Sequence, residues 1–384
     1  MLSVKEVLSL TGLAAPVLTA YIETDQMNRP TGKSLPVGVR WLRKEAETIA
    51  KNLGAADAKD FRKQLSRTEE LLMGRPPKAK AIVILAGPKI WKLFPLQLKV
   101  ENELHWGKPA LSQLLNLVDE EKPCFVIAID RAGARFFRYE LGEISEYKES
   151  KFHVDASQWK KKEHAHMAQP ATEMPHGNQR DVFKQRMDAQ YLHFCREVAK
   201  RAEALSKNDG LFSLVLIGSK RLTEPIEAAL SQKLRKNVTL VAEDLARVPK
   251  GVFQKRISSA IAAQAQLYSA RLADQLLEGE HGTVLGLDET LAQLQDGRIS
   301  TVIAARGFDK TIKQCTKCGL VSGSADPVCL ACGGERQTIK LSDALPELLQ
   351  TYWTNIEVVN GAAGGRLNKT CGIGGWLRQP TRAE

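Results

Sequence analysis

The chain has 384 residues, of which 43% are hydrophobic and 26% are charged. This balance excludes an intrinsically disordered chain, and no apolar run approaches the ~18 residues that a membrane span needs. The length predicts two or three domains. An excess of Lys and Arg gives a formal net charge of +11. Such a charge favours a polyanionic partner, most often nucleic acid, although a merely basic surface is the alternative.

The cysteines indicate a reducing compartment. There are seven of them, an odd number, and four fall in two tight pairs, which argues against a secreted disulfide scaffold. The apolar stretch 8–22 is a poor signal peptide, because Pro16 interrupts it and no convincing cleavage site follows. We therefore predict a cytoplasmic protein that does not use a membrane.

The first part of the chain alternates between strand and helix patterns and predicts an N-terminal α/β domain over 1–120. An opening strand is predicted at 14–23, and the continuous apolar run 81–85 is typical of a buried strand. Apolar residues at helical spacing predict helices over 39–53, 61–72 and 110–118.

A central α/β domain is predicted over 121–246. Its first three strands read as a meander, in which short apolar strands follow one another across glycine turns. A basic loop over 155–180 leads to a long helix at 181–206, which carries an apolar stripe at helical spacing. The predicted strands of this domain are 124–130, 135–139, a third after Gly142, 214–218 and 238–241.

A C-terminal α/β domain is predicted over 247–384, with a cysteine-rich insertion at 313–335. Its predicted elements are a helix over 252–277, a helix over 286–294, a strand at 301–305 and a glycine-rich closing strand at 372–378. Because strands alternate with helices throughout, the predicted fold class is α/β, with three α/β domains and a small zinc ribbon inserted in the third.

The insertion contains two Cys-x2-Cys pairs, separated by ten residues: Cys315, Cys318, Cys329 and Cys332. Two residues between thiols place both sulfurs on one tight turn. Four thiolates surround Zn²⁺ as a closed tetrahedron with no open position for a substrate. The spacing therefore predicts a structural metal site rather than a catalytic one. Two redox-active pairs, or thiols that bind nothing, are the alternatives.

The central domain contains the best candidate for a nucleic-acid contact. Residues 159–201 hold nine Lys or Arg, five acidic residues, a Trp and four His. Cations interleaved with flat rings suit RNA phosphates and exposed bases, and a solvated loop without a partner is the alternative. The predicted RNA-binding residues are Trp159, Lys160, Lys161, Lys162, His176, Asn178, Arg180, Lys184 and Arg186.

From about residue 120 onwards, the order of these segments resembles the archaeal and eukaryotic class-1 peptide release factors and their Pelota relatives. The resemblance is carried by Lys151–Val154 before the basic loop, Gly177–Arg180 at the start of the long helix, Leu214–Lys220, Gly286–Leu294 and Gly372–Arg378. The N-terminal part, with Tyr21–Thr24 and the helix that carries Arg40, Arg43 and Lys44, is more similar to the bacterial branch of this superfamily, which includes the ribosome-hibernation factor Balon.

Two departures from the family's pattern limit what the resemblance implies. Release factors carry Gly-Gly-Gln at the tip of the central domain, where the glutamine helps to position water against the peptidyl-tRNA ester. The corresponding residues here are Gly177, Asn178 and Gln179, so that the middle glycine is replaced. Asn tolerates a left-handed backbone better than most residues, but its side chain adds bulk beside the ester. The first domain also lacks an Asn-Ile-Lys-Ser-like tetrapeptide, so stop-codon reading is not expected.

The resemblance implies a monomeric factor whose three domains adopt a tRNA-mimic arrangement in the ribosomal A site. It also implies contacts to the rRNA of the peptidyl-transferase and decoding centres, and a translational GTPase such as elongation factor Tu as a possible partner. The favoured hypothesis is hibernation or protection of idle or stalled ribosomes without catalysis. The alternative is a peptidyl-tRNA hydrolase, acting in release or rescue, in which Gln179 orients the water and Gly177 gives it room.

Two further interpretations come from the residues alone. A magnesium-dependent nuclease would need clustered carboxylates, and Asp130 and Glu140 lie on neighbouring predicted strands without a convincing third ligand. In the first domain, Lys33, Arg40, Arg43 and Lys44 could contact RNA of the decoding centre, although an exposed helix face explains them equally well.

Overall fold

The computed structural model describes residues 2–24, 35–74, 78–130, 132–151, 177–209, 213–243, 248–279 and 282–378. Contacts within the chain divide it into two units. Unit 1 contains Met1–Lys122 and Ala263–Glu384, and unit 2 contains Pro123–Ala262. The mixed α/β class is confirmed, whereas the domain boundaries at 120 and 246 stay a prediction. No helix among the described residues is long and apolar enough to cross a membrane.

The N-terminal part of unit 1 is a four-stranded antiparallel sheet in the order β3-β2-β1-β4. The predicted strands at 14–23 and 81–85 and the three predicted helices are confirmed, with shifted ends. Strands β3 and β4 are additions to the prediction. The elements are α1 (Val4–Ser9), β1 (Val17–Glu23), α2 (Val37–Ala50), α3 (Ala55–Met73), β2 (Ala81–Gly87), β3 (Ile90–Leu96), β4 (Glu103–Gly107) and α4 (Ser112–Glu120).

Both faces of this sheet are covered, which explains the continuous apolar run of β2. On one face, alternate residues of β1 and β2 pack against α2 and α3, with Phe61 fully buried among them. On the other face, the Tyr21 hydroxyl donates to the carbonyl oxygen of Ala110 at 2.7 Å and accepts from the backbone N–H of Leu114. Tyr21 therefore ties the sheet to the start of α4.

Unit 2 is a five-stranded mixed sheet in the order β7-β6-β5-β8-β9. The predicted meander is confirmed, since β5, β6 and β7 pair antiparallel, while β8 and β9 extend the sheet in parallel from β5. The elements are β5 (Cys124–Ile129), β6 (Gly133–Glu140), β7 (Glu143–Lys151), α5 (Gly177–Asp209), β8 (Leu214–Ile217), α6 (Lys220–Ala229), α7 (Gln232–Arg235), β9 (Val238–Val241) and α8 (Lys250–Leu277).

Helices cover both faces of this sheet as well. The C-terminal half of α5 packs on one face through Phe194, Val198 and Ala202. The first turns of α8 pack on the other face through Phe253 and Ile257. The sheet therefore has two apolar cores, as the buried β5 and β8 sequences require.

The C-terminal part of unit 1 is a second four-stranded sheet in the order β10-β16-β11-β15, in which only β11 and β15 are parallel. A separate three-stranded sheet, β13-β12-β14, forms the cysteine-rich insertion. The elements are β10 (Thr283–Leu285), α9 (Leu287–Gln295), β11 (Ile299–Ala305), β12 (Thr311–Cys315), β13 (Val321–Ser322), β14 (Arg336–Lys340), α10 (Leu341–Thr351), β15 (Asn355–Val359), α11 (Gly361–Thr370) and β16 (Ile373–Leu377).

Within unit 1, a buried carboxylate joins α4 to β15. Asp119 is 4% exposed and accepts the backbone N–H of Val358 at 2.6 Å. Lys122 Nζ lies 3.5 Å from Asp119 and 2.5 Å from the carboxylate of Glu357, and it also lies over the ring of Tyr268. This cluster links residues that are more than two hundred positions apart in the chain.

Candidate functional site

The four cysteines of the insertion converge, as their spacing predicts. Their sulfur atoms all lie within 4.8 Å of one another. Cys315 Sγ is 3.4 Å from Cys332 Sγ, and Cys318 Sγ is 3.7 Å from Cys329 Sγ. A tetrahedral ion with sulfur bonds of about 2.3 Å has edges of about 3.8 Å, so these separations fit a four-thiolate metal site.

Local backbone geometry explains why the sulfurs meet. Each Cys-x2-Cys turn ends in a glycine with left-handed backbone, Gly319 at φ 77° and Gly333 at φ 70°. A side chain would strain the backbone at either position. The N–H groups of Lys317 and Cys318 point to Cys315 Sγ at 3.4 and 3.5 Å. The turn therefore presents positive dipoles to a sulfur that must carry negative charge as a metal ligand.

The same dipoles favour the thiolate form of two of the cysteines, Cys315 and Cys329, whereas the neighbouring sulfurs raise the pKa of Cys318. The backbone N–H of Cys318 is the largest influence that lowers the pKa of Cys315, to about 6. The N–H of Ala331 similarly lowers the pKa of Cys329. Deprotonated sulfurs at neutral pH are what a metal ion requires.

The cysteine sheet is docked rigidly on the C-terminal sheet of unit 1. The side-chain amide of Gln295 donates to the carbonyl oxygen of Val321 at 2.7 Å and accepts the N–H of Val321 at 2.8 Å. Asp288 accepts the N–H of Gly323 at 2.9 Å. Both side chains extend from α9, so a metal in the cysteine cluster would stabilise this attachment.

The second site predicted from sequence lies at the start of α5. The helix was expected over 181–206, but it begins at Gly177, so that Gly177, Asn178 and Gln179 lie in its first turn. None of the residues 185–190 is buried, and the helix joins the core only from Tyr191 and Phe194. With a rise of 1.5 Å per residue, Gly177 lies about 25 Å along the helix axis from Phe194.

The helix therefore extends about 25 Å N-terminal to Phe194, the first of its described residues that is buried. The first turn of any helix has backbone N–H groups without partners inside the helix and a partial positive charge, which favour an anion. Arg186 is half-buried on this part of the helix. The predicted apolar stripe is confirmed where it reaches the core, at Phe194, Val198 and Ala202.

The remaining predicted RNA-binding residues stay a prediction. Trp159, Lys160, Lys161, Lys162 and His176 lie outside the described residues, with most of the basic loop. Asn178, Arg180 and Lys184, like Gln179, belong to helical backbone whose side chains are not described.

The nuclease interpretation is wrong. Asp130 and Glu140 lie at opposite ends of the β5–β6 pair, because Ile129 pairs with Ala134 and Cys124 pairs with Tyr139. Asp130 accepts the N–H groups of Ala132 and Gly133 in the turn between the strands. Within the described part of the chain, the cysteine cluster is the one group of His, Cys, Asp or Glu arranged to hold a metal.

The cations of α2 are exposed, which both a contact with decoding-centre RNA and a simple solvent-facing helix surface require. Arg43 is held in a bidentate pair with Glu69, at 2.8 Å between the closest atoms, whereas Arg40 and Lys44 face solvent. Lys33 lies outside the described residues.

Unit 1 also has a polar cleft of about 580 Å³ between the segments 99–117 and 306–343. Its charged lining is of both signs, so it favours no one charge of ligand; the lining includes Lys99, Arg306, Lys340, Glu101, Asp309 and Asp343.

Comparisons with known proteins agree with this architecture. Residues 109–266 match the model of the family "Bacterial archaeo-eukaryotic release factor family 10", and this segment contains all of unit 2. No curated protein matches the chain.

The matched segment therefore spans the whole of unit 2, Pro123–Ala262, including its five strands and the helix α5. The boundaries of the family match and of the structural unit thus agree to within a few residues at the C-terminal end.

Solved structures that resemble the chain come from the same group of translation proteins. An archaeal translation termination factor, aRF1, is 17% identical and has a TM-score of 0.25, with 98% of this chain and 99% of that chain covered. Pelota of Archaeoglobus fulgidus is 15% identical, with a TM-score of 0.33 and coverage of 79% and 80%. Dom34 of S. cerevisiae is 8% identical, with a TM-score of 0.41 and coverage of 99% and 94%.

The likeness to the release factors rests on the match of residues 109–266. Sequence reasoning did not single out two residues: the buried Asp119, for which the sequence gave no signal, and the exposed Trp353 with its left-handed backbone, which was signalled only by a helix end without glycine. Through residues 109–266, the chain is similar to the bacterial archaeo-eukaryotic release factors.

Proposed function

We propose that the chain binds the ribosomal A site and protects idle or stalled ribosomes without catalysing a reaction. The observation that carries this proposal is the long helix α5, which holds the Gly-Asn-Gln sequence in its first turn within a unit that matches the release-factor family. The basic loop that precedes the helix supplies cations suited to rRNA phosphates.

The length of α5 before its packed part is the physical reason for assigning the Gly-Asn-Gln end to the peptidyl-transferase centre. The helix start lies about 25 Å along its axis from the packed core, and none of the described residues 185–190 is buried. Residues 185, 188 and 189 are exposed and 186, 187 and 190 are half-buried, so this stretch of the helix has surface available for an external partner. A narrow RNA-walled site would provide one.

The absence of catalysis is proposed from the middle residue of the motif. Gln is no base, so a release factor gains its rate from the placement of water and from electrostatics at the rRNA site. Asn178 replaces the glycine that the family keeps beside the ester. Its side chain would occupy space that the substrate needs, so we expect occupancy of the site without hydrolysis.

Co-sedimentation with ribosomes tests the binding part of the proposal. The parent chain should co-sediment with vacant ribosomes at low salt and on gradients of extracts from starved cells. A variant with Lys160, Lys161 and Lys162 changed to Ala should bind more weakly, and the slope of log affinity against log salt should fall by as much as about 2 to 3.

A matched control removes the same charge elsewhere on unit 2, at the exposed residues Lys207, Lys220 and Lys236. This control should bind close to the parent. Equal losses in both variants would mean that net charge alone drives the association. Absence of the parent chain from ribosomes in growing and starved cells alike would end the proposal.

A peptide-release assay separates protection from the alternative, peptidyl-tRNA hydrolysis by Gln179. We expect no release by the parent chain. Asn178→Gly rebuilds Gly-Gly-Gln and should permit release if bulk at this position is what prevents it, and adding Gln179→Ala should abolish that gain. Release by the parent chain that is lost in Gln179→Ala would instead establish the hydrolase.

We also propose that the cysteine cluster holds structural Zn²⁺. Four thiolates that enclose one point favour Zn²⁺ among the abundant divalent ions and leave no position for substrate water. Metal analysis of the purified chain should give one zinc per molecule.

A translational GTPase such as elongation factor Tu stays a predicted partner, to be sought among proteins that co-purify with the factor on ribosomes.

A further inference from the structure

Trp353 combines two features that rarely occur together. It is 82% exposed, and its backbone is left-handed at φ 51°. Left-handed backbone is strained for any residue with a bulky side chain, and such positions normally carry Gly or Asn. Because the indole is exposed, its contacts with the rest of the chain offset little of this strain.

The position is the residue that follows the C-cap of α10, where helices most often place glycine. The N–H of Thr354 donates to the carbonyl oxygen of Leu349 at 3.0 Å, and the N–H of Trp353 donates to that of Gln350 at 3.4 Å. These bonds close the helix end as a glycine would. The backbone role of the site is therefore fulfilled without any need for an indole.

Arg378, which directly follows β16, fixes this turn. Its guanidinium donates to the carbonyl oxygens of Tyr352 at 2.7 Å and Trp353 at 3.0 Å, and its Nε donates to that of Ile299 at 3.1 Å. Thr354, which is buried, also donates to Ile299. The turn is thus held from two sides. Because Trp353 lies on an already ordered turn, binding a partner costs little conformational entropy of the backbone.

The surroundings of Trp353 indicate the kind of partner. Apolar protein pockets usually meet a patch of several exposed apolar residues, but the side chains that hold the turn of Trp353 are polar, namely Arg378 and Thr354. Arg298 lies next to Arg378, since the N–H of Arg378 donates to the carbonyl oxygen of Arg298. Arg298 is 65% exposed, and its nearest acid, Asp296, is 4.0 Å away.

We propose that Trp353 is a stacking platform for an unpaired RNA base, with Arg298 placed to contact the adjoining phosphate. An exposed flat ring near an exposed arginine is a combination by which proteins hold single-stranded RNA. This inference rests on the proposed function, which it deepens by adding an RNA contact in unit 1 to the one predicted at the basic loop of unit 2. The strained backbone is maintained because the indole serves binding rather than folding.

A stability measurement tests the first half of this argument. Because the turn already has the geometry that glycine prefers, Trp353→Gly and Trp353→Asn should melt at or above the Tm of the parent chain. A clear fall in Tm for both variants would mean that the indole stabilises the fold, and the argument from strain would fail.

Affinity for purified vacant ribosomes tests the second half. Trp353→Ala should lose about 5- to 100-fold in affinity, the range expected for one stacked base. Trp353→Phe, which keeps a stacking ring, should recover most of that loss, whereas Trp353→Leu should not. Leu267→Ala is the matched control, because Leu267 is another strongly exposed apolar residue of unit 1, and it should bind like the parent.

The outcomes separate this inference from the proposed function. Parent-like binding by Trp353→Ala overturns the stacking platform and leaves ribosome binding intact. Full recovery by Trp353→Leu also overturns it, and indicates an apolar pocket on a ribosomal protein. If the parent chain does not bind ribosomes, the proposed function fails, and an unstructured RNA oligonucleotide then decides: fluorescence quenching that disappears in Trp353→Phe supports stacking, and no quenching rejects it.

Discussion

Asp119 offers a prediction with a definite sign, because its carboxylate is buried between α4 and β15 of unit 1. Its side chain is 4% exposed. It accepts one backbone N–H, from Val358 at 2.6 Å, and Lys122 Nζ lies 3.5 Å away. Burial is the largest influence on this group and raises the pKa of Asp119 from 3.8 to about 6, despite the nearby ammonium group.

The raised pKa means that ionised Asp119 destabilises the native state. The folded chain binds the proton more tightly than the unfolded chain, so protonation of Asp119 adds to the free energy of unfolding. This contribution is complete below about pH 4 and is lost as the pH rises through 6. A shift of about two pH units corresponds to at most about 3 kcal/mol of unfolding free energy above pH 6. Asp119→Asn keeps an acceptor for Val358 without the charge, so it should stabilise unit 1 at pH 8 by roughly 1–3 kcal/mol.

Urea unfolding of the parent chain and of Asp119→Asn at pH 4.5, 6 and 8 measures this effect. The difference in unfolding free energy should be small at pH 4.5 and should grow to its full value by about pH 7. Asp119→Ala is the control for the hydrogen bond, since it leaves the buried N–H of Val358 unpaired, at a cost of about 1–3 kcal/mol. If Asp119→Asn is as destabilising at pH 8 as Asp119→Ala, the ionised carboxylate is a net stabiliser and the reasoning is wrong.

The other predictions concern the metal, a glycine and the basic loop. Cys318→Ser, or treatment with a strong chelator, should release the metal and open the cysteine sheet, seen as faster amide exchange at 311–340, while the far-UV circular dichroism changes little. Gly372→Ala should destabilise unit 1 by about 2 kcal/mol or more, measured by urea unfolding, because a β-carbon there would lie 2.1 Å from the ring of Phe308, on backbone at φ 71°. Replacing the lysines at 160–162 by Ala should weaken ribosome binding more at 50 mM than at 200 mM salt, without changing Tm by more than about a degree.

Local sequence patterns predicted much of the fold, because the physics that forms these elements acts over a few residues. The apolar runs of β2, β5 and β8 are buried on both faces of their sheets and are therefore recognisable without any partner. The cysteine spacing predicted a convergent site for the same reason, since each pair needs only its own turn. Strand β3 was not predicted: it contains Lys92 and Pro95, which an edge strand tolerates and a central strand does not.

Features that depend on distant residues could not be predicted in this way. The burial of Asp119 follows from contact with Val358, which lies 239 positions later in the chain, and an acid at the end of a helix gives no hint of it. The left-handed turn at Trp353 is held partly by Arg378, which lies 25 positions later in the chain. One local signal was available, because α10 ends at Thr-Tyr-Trp-Thr without the glycine that usually closes a helix.

Chemical footprinting of rRNA on vacant ribosomes tests the central claim most directly. With the factor bound, nucleotides of the peptidyl-transferase centre and of the decoding centre should both be protected, and A-site tRNA should compete with that protection. Protection at the peptidyl-transferase centre should weaken in the variant with Lys160, Lys161 and Lys162 changed to Ala. A bound factor that protects neither centre, or that coexists with A-site tRNA, would contradict the account.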